Sequence, residues 1–224
     1  MRGKINTKIG REITIAVKMG GSDPTGNMRL KLALSKAKTN NIPKDNIQRA
    51  IQKGLGASDG SNYEELVYEG YGPGGSAIML DILTDNRNRT AADVRHLFSK
   101  HGGNMGETGC VGWMFKKKGI IVVSKEAADE DTLMMIALDA GAEDVSTDGD
   151  SFEITTAPED FLTVSEALEK EGIAVEASEV TMVPDNTVSL EGDAADVMNK
   201  LTSELEELDD VQDVYTNADL PDEE

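Results

Sequence analysis

The residues best suited to chemistry in this sequence are cations placed beside the predicted start of a helix. Arg87, Asn88 and Arg89 follow a predicted strand at 76–84, and Thr90 is the predicted N-cap of the next helix. A helix N-terminus presents unpaired N–H groups, and guanidinium groups bind phosphate in a bidentate geometry. This pattern favours binding of an anion, above all phosphate. The alternative is a solvated connection whose arginines pair with neighbouring acids.

A second set of cations lies in residues 1–60, which hold twelve Lys and Arg against four Asp and Glu. Residues 119–224 hold three Lys and Arg against thirty-one acids, so the net charge of −20 is unevenly distributed. Exposed charges are screened over roughly 8 Å at physiological salt, and a basic domain can therefore bind a polyanion although the whole chain is acidic. The predicted nucleic-acid contacts are Lys31, Lys36, Lys38, Lys44, Arg49 and Lys53, with Arg87, Asn88, Arg89 and Arg95 as a second set. The alternative is a solvated, lysine-rich face on an ordinary helical bundle.

Phosphate contacts give affinity but no choice of sequence. No predicted helix stands out as rich in Asn, Gln and Arg at the spacing that reads base edges. Aromatic residues make up 4% of the chain, which argues against a stacking platform for single strands. We therefore expect binding that depends strongly on salt concentration.

Patterns typical of enzymes and metal sites fail on inspection. Residues 70–75 satisfy G-x-G-x-x-G, but a strand follows where a dinucleotide-binding turn requires a helix. His96 and His101 share one predicted helix without a neighbouring Cys, and Cys110 is the one cysteine, which excludes an intramolecular disulfide. We expect no catalysis, no cofactor, no metal and no small-molecule substrate.

The elements that must position the cations fall into three predicted domains. Residues 1–60 form three short helices, with a glycine- and serine-rich linker at 54–62. Residues 61–118 plus 184–224 form a discontinuous α+β domain, and residues 119–183 form an inserted domain with the β-α-β-β-α-β order of a ferredoxin-like unit. The predicted fold class is α+β, an N-terminal three-helix domain followed by two α/β domains, one of which is inserted in the other.

Within the discontinuous domain, the pattern predicts a hairpin of strands at 66–71 and 76–84 joined by a glycine-rich turn. It also predicts a strand at 109–115 and a basic turn at 116–118. A short β-α-β piece at the end of the chain is too small to stand alone, so it is expected to complete this domain. The last residues, 221–224, are expected to be disordered.

The sequence gives no indication of a membrane protein. The N-terminus lacks an apolar signal core, and the apolar run at 120–123 is far too short to cross a bilayer. We expect a cytoplasmic protein without a membrane partner, and a monomer.

Four stretches, RGKINTK, GYGPGGSAIML, DNRNRTAADVRHLFSKHGGNMG and DDVQDVYTN, closely resemble the YebC/PmpR family. That family includes bacterial proteins described as transcriptional regulators and the mitochondrial translational activator of cytochrome c oxidase subunit I. The resemblance covers nearly all 224 residues and implies three domains around a central cavity, without catalysis. It implies either a DNA-binding transcriptional regulatory protein or a ribosome-associated factor that binds ribosomal RNA and relieves stalling at proline-rich stretches.

One feature of that family is missing. Members usually open with a short basic segment of Gly-His-Ser-Lys-Trp type ahead of the stretch that starts here at Arg2. The two explanations are a start codon assigned too far downstream and a real short form. Under either one, the resemblance predicts less positive charge and a shorter first helix, and hence altered binding strength.

Overall fold

The structure is a computed structural model that describes residues 2–56 and 62–221. The helices are α1 (Arg2–Gly20), α2 (Met28–Thr39), α3 (Lys44–Leu55), α4 (Arg87–Lys100), α5 (Glu130–Asp139), α6 (Phe161–Lys170) and α7 (Gly192–Glu207). The strands are β1 (Glu64–Tyr71), β2 (Ala77–Thr84), β3 (Asn104–Met105), β4 (Phe115–Ser124), β5 (Asp144–Asp148), β6 (Ser151–Thr156), β7 (Ala177–Pro184), β8 (Val188–Ser189), β9 (Val211–Thr216) and β10 (Ala218–Asp219). Most of the predicted linker and of the predicted disordered tail lies outside the described residues.

The chain divides into two compact units, residues 1–112 with 187–224, and residues 113–186. The first unit contains the helical region and a sheet domain, and the second contains another sheet domain. This confirms the predicted fold class, a helical N-terminal region followed by two sheet-containing domains. The three domain boundaries drawn from the sequence stay a prediction.

Helices α2 and α3 are both held against α1. Apolar residues at helical spacing on α1, among them Ile13 and Val17, are buried against Leu30 of α2 and Ala50 of α3. A Cβ at Gly54 would lie 2.6 Å from the Thr14 carbonyl oxygen, so the absence of a side chain lets α3 approach α1 closely. The three helices therefore form a small bundle, and their packing determines which side of each helix faces outward.

Buried Asn27 fixes the start of α2 against the end of α1. Its side-chain oxygen accepts from Leu30 N at 3.1 Å as the N-cap of α2, while its Nδ2 donates to the Ala16 carbonyl oxygen at 2.8 Å. Both ends of one amide are thus used, and this side chain holds the start of α2 against the end of α1.

The sheet of the first unit has the strand order β3-β1-β2-β9. Strands β1 and β2 form the expected antiparallel hairpin, and β9 pairs antiparallel with the other edge of β2. Helices α4 and α7 bury their apolar faces with this sheet, through residues such as Phe98, Met198 and Leu201. Residues 211–216 therefore belong to the sheet that begins at residue 64.

The second unit has a four-stranded antiparallel sheet of order β5-β6-β4-β7. With helices after its first and third strands, this is the topology of a ferredoxin-like unit, as predicted. Buried residues such as Ile121 and Ile154 alternate with more exposed residues along the strands. Leu133 and Leu168 are buried on the two helices.

Four local predictions are wrong. Arg87, Asn88 and Arg89 form the first turn of α4 rather than a connection, because Asn86 is the N-cap and accepts from Arg89 N at 3.1 Å. Thr90 lies inside that helix, where its hydroxyl is buried. Of the strand predicted at 109–115, only Phe115 lies in a strand, as the first residue of β4. Residues 116–118 lie within β4 instead of forming a turn, since their backbone pairs with β7.

Candidate nucleic-acid interface

The basic face of α1 is bound to the C-terminal end of α7. Lys4 Nζ donates to the Glu207 carbonyl oxygen at 2.5 Å and lies 2.6 Å from the Glu207 carboxylate. Lys8 Nζ donates to the Glu206 carbonyl oxygen at 2.5 Å. The last carbonyl groups of a helix lack partners within it and carry the negative end of its dipole, so these cations stabilise the end of α7. Hydrogen bonding to Lys4 lowers the pKa of Glu207, and burial lowers the pKa of Lys8.

Asp210 is a buried carboxylate that joins α1 to α4. Its Oδ2 accepts from Arg89 Nη2 at 2.9 Å and from Thr90 Oγ1 at 2.8 Å, and its Oδ1 accepts from Arg11 Nη1 at 3.3 Å. Burial alone would raise the pKa of Asp210, but the hydrogen bonds from Arg89 and Thr90 outweigh it and leave the pKa below its usual value. Hydrogen bonds to Asp210 and Asp85 raise the pKa of Arg89. Arg89, a predicted phosphate ligand, therefore acts as an internal counterion.

Arg29 is bound internally as well. Its guanidinium donates to the Glu12 carboxylate at 2.7 and 3.1 Å and also pairs with Glu65 of β1. Burial alone would lower the pKa of Arg29, but hydrogen bonds to Glu12 and Glu65 outweigh it and raise the pKa above its usual value. Arg29 thus joins α1, α2 and β1, so it is unsuited to binding a phosphate.

The predicted cations of α2 and α3 have a different environment. All of them are exposed, namely Lys31, Lys36, Lys38, Lys44, Arg49 and Lys53. Among the described residues, no Asp or Glu oxygen lies within 4.0 Å of a side-chain nitrogen of the first five. Because these five are exposed and lack an acidic partner in the described chain, we call them the unpaired cations.

The unpaired cations are distributed over the outer surface of two helices. Helical spacing places Lys31 and Lys38 on one flank of the buried stripe of α2 and Lys36 on the other. Arg49 lies on α3 one turn before Lys53, and both line a groove of about 340 Å³ against α1. Arg11 lines the same groove with its guanidinium 5.2 Å from the centre of the Tyr63 ring. The described lining residues of this groove include three cations and no acid.

The cavity beside the first turn of α4 is less suited to an anion. It has a volume of about 530 Å³ and is lined by three cations and five acids. The cations are Lys4, Arg11 and Arg89, and the acids are Asp85, Asp93, Glu207, Asp209 and Asp210. Because acids outnumber bases around it, the structure favours the alternative interpretation of this corner, in which arginines pair with local acids.

The other members of the second predicted set remain on the surface of α4. Arg87 lies 3.6 Å from Glu64, and both side chains are more than half exposed, so this pair is weak. Asn88 and Arg95 are exposed seven residues apart, on one face of the helix. The structure does not bring Arg87, Asn88, Arg89 and Arg95 together into one site.

Two residues on α3 were missed by the sequence-based prediction. Gln48 and Gln52 are exposed, and with Asp45 and Arg49 they follow the i, i+3, i+4, i+7 spacing of one helix face. The signal was present in the sequence, because Ile47, the buried Ala50 and Ile51 define the inner face and leave this row outside. The expectation that no recognition helix is rich in Asn, Gln and Arg at base-reading spacing stays a prediction. We call these four residues the α3 row.

Neither a metal cluster nor a membrane span is found within residues 2–56 and 62–221. In that part of the chain, no three His, Cys, Asp or Glu side chains are grouped so as to hold a metal ion. No helix in it is long and apolar enough to cross a membrane.

Family models cover almost the whole sequence. The model of the TACO1/YebC protein N-terminal domain matches residues 1–57, and the model of the TACO1/YebC second and third domain matches residues 63–218. The two models meet between α3 and β1, where the helical region gives way to the first sheet.

Curated relatives and a solved structure agree with these models. A protein of Desulforamulus reducens named "Probable transcriptional regulatory protein" is 60% identical over 218 residues, which cover 96% of this chain and 90% of the relative. A protein of the same name from Pelotomaculum thermopropionicum is 56% identical over 223 residues, 99% of this chain and 92% of the relative.

The crystal structure of a conserved hypothetical protein from Aquifex aeolicus superposes with a TM-score of 0.85 at 46% identity. The match covers 99% of this chain and 92% of that one. The similarity thus extends through the sequence, the order of elements and the tertiary structure. This chain belongs to the TACO1/YebC family.

Proposed function

We propose that this protein is a non-enzymatic regulator of transcription that binds duplex DNA through α2 and α3. The curated relatives are named as transcriptional regulatory proteins, which supports a regulatory role. The proposal includes a cytoplasmic monomer whose partner is nucleic acid.

The observation that carries the proposal is the set of unpaired cations. Other cations of the helical region, namely Lys4, Lys8, Arg11 and Arg29, are bound by carbonyl groups and carboxylates of the same chain. The cations of α2 and α3 that the sequence analysis selected are exposed, and five of them lack an acidic partner among the described residues. Exposed cations without internal partners are free to neutralise phosphates and to release counterions from DNA.

A salt titration tests this role. If the six predicted cations of α2 and α3 each neutralise one phosphate, the logarithm of the association constant falls with the logarithm of salt concentration at a slope of about −5. The measurement is fluorescence anisotropy of a labelled duplex of about three helical turns at several salt concentrations. A slope near zero would contradict the proposal.

The second candidate is a ribosome-associated translation factor that relieves stalling at proline-rich stretches. The observation in its favour is that the unpaired cations are spread over two helices, a distribution that fits the phosphates of folded ribosomal RNA as well as those of a duplex. Co-sedimentation with ribosomes through a sucrose cushion at moderate salt separates the two. Recovery of the protein only in the top fraction would count against this candidate.

A further inference from the structure

We propose that the α3 row reads base edges in the major groove of DNA, with Gln48 and Gln52 contacting adenine and Arg49 contacting guanine. This inference rests on the proposed function, since it takes the duplex bound by α2 and α3 as its ligand. It adds a source of sequence choice, which contacts between cations and phosphates cannot supply because phosphates are the same at every base pair.

The residue types of the row match the chemistry of base edges. A Gln amide presents a donor and an acceptor together, which pair with the N7 and N6 groups of adenine. A guanidinium donates two parallel hydrogen bonds to N7 and O6 of guanine. Asp45, the first member of the row, can accept from the N4 amino group of cytosine. In this arrangement Arg49 contacts a base edge rather than a phosphate.

The dimensions of α3 suit the groove. The helix has twelve residues and is therefore about 18 Å long, and with side chains it is about as wide as the major groove. Residues 45 to 52 span roughly 10 Å along the axis, which is the length of about three base-pair steps. The four side chains of the row therefore extend over a short run of consecutive base pairs.

The row is also presented on a rigid support. The opposite face of α3 carries Ile47, Ala50 and Ile51, which pack into the core of the bundle. Thr14 Oγ1 on α1 donates to the Ala50 carbonyl oxygen at 3.0 Å, and Gly54 brings the end of α3 close to α1. Because α1 fixes the helix in this way, the row faces outward without a conformational change.

Exposed cations lie at the start of α3 and near the end of α2, close to the row in sequence. Lys44 is exposed at the start of α3, and Lys36 and Lys38 are exposed near the end of α2, just before the short connection that leads into α3. Recognition of a duplex uses both kinds of contact, because phosphate contacts position the protein and base contacts select the sequence.

The test is selection of binding sites from a random duplex pool with the full chain, followed by affinity measurements. We expect an enriched site with adenine and guanine at fixed positions. Loss of one glutamine–adenine contact is expected to weaken binding to the enriched site about 5- to 150-fold, and Q48A/Q52A removes both contacts. Its affinity for unrelated duplex and its salt slope should stay the same. Alanine is the best helix former and both positions are exposed, so this variant should fold.

The matched control is K36A/K38A, which should weaken binding to the enriched site and to unrelated duplex by the same factor. Binding to duplex with a steep salt slope but no enriched sequence would overturn the base-reading role and leave the proposed function standing. An enriched site whose affinity is unaffected by Q48A/Q52A would also overturn it. Absence of duplex binding, or binding to ribosomes alone, would overturn the proposed function and this inference together.

Discussion

Helix α1 and the pair formed by α2 and α3 both carry several cations, but the two regions place them in different surroundings. On α1, Lys4, Lys8 and Arg11 contact carbonyl oxygens and carboxylates of residues 206–210. On α2 and α3, the unpaired cations are exposed to solvent. Lys4, Lys8 and Arg11 therefore stabilise the fold, whereas the unpaired cations are available to an external partner.

This difference shows that the charge of a segment overstates its capacity to bind a polyanion. The net charge of residues 1–60 suggests that all twelve cations contribute, but at least four of them are bound within the chain. The useful quantity is the charge that remains after internal partners are counted. Variants in each region can test this division, because they should alter stability in one case and DNA binding in the other.

The largest effect on stability is expected from Asp210→Ala. The change leaves the Arg11 and Arg89 guanidinium groups without their shared buried carboxylate and removes the acceptor of the Thr90 hydroxyl. Removal of one partner from a buried ion pair is strongly destabilising, and with partial exposure of these arginines we expect a decrease of about 3 kcal/mol in the free energy of unfolding. Urea denaturation followed by circular dichroism measures it.

The control for this prediction is the neighbouring Asp209→Ala. Asp209 is exposed, so removal of the same charge should change the free energy of unfolding by less than about 0.5 kcal/mol. Equal effects of the two variants would show that Asp210 has no special role in joining α1 and α4.

The largest effect on sequence-independent binding is expected from K36A/K38A. Each phosphate interaction that is removed lowers the salt slope by about 0.9, so the slope should become shallower by about 2 and the affinity should fall about 60-fold at ~0.1 M salt. The unfolding free energy should change little, because both side chains are exposed. Anisotropy titrations at several salt concentrations measure both the slope and the affinity.

The control variant is K4A/K8A on α1, which removes the same number of positive charges. These lysines are bound to α7, so their removal should leave the salt slope unchanged and lower the free energy of unfolding by about 1 kcal/mol. A decrease in slope as large as that of K36A/K38A would mean that α1 and α2 do not differ in the way the structure indicates.

How far the sequence predicts this arrangement depends on the range of the interactions. The hairpin of β1 and β2, the ferredoxin-like order and the apolar stripes of the helices follow from local periodicity, and the structure contains them. The pairing of Arg89 with Asp210 does not follow from it, because Asp210 is 121 residues away and only the folded sheet brings it to α4. Thr90 illustrates the same limit, since its hydroxyl donates a hydrogen bond to Asp210 rather than capping a helix.

The α3 row marks a second limit of a different kind. Its spacing is local and visible in the sequence, where the uncharged Gln48 and Gln52 lie among the cations of residues 44–53. Phosphate binding is signalled by net charge, whereas base reading is signalled by amides at helical spacing on an exposed face.

A smaller effect is expected from Arg95→Ala on α4. If this exposed residue reaches a phosphate, its removal should reduce the salt slope by about 1 and the affinity about 8-fold at ~0.1 M salt, measured by the same anisotropy titrations. Arg89→Ala is the control, since Arg89 is held by Asp85 and Asp210 and should leave the slope unchanged. If neither variant alters the slope, α4 lies outside the DNA-binding surface.

The smallest effect concerns the pH dependence of the Asp210 interactions. The pKa of Asp210 in the folded protein lies below its ordinary value of 3.8, so the ionised form stabilises the fold above that value and the stabilisation is lost as pH falls through the folded pKa. The difference in unfolding free energy between the wild type and Asp210→Ala should therefore narrow by up to about 1 kcal/mol between about pH 6 and about pH 3. Urea denaturation at each pH measures this difference. A difference for Asp210→Ala that does not change with pH would show that the arginine partners do not stabilise the ionised carboxylate.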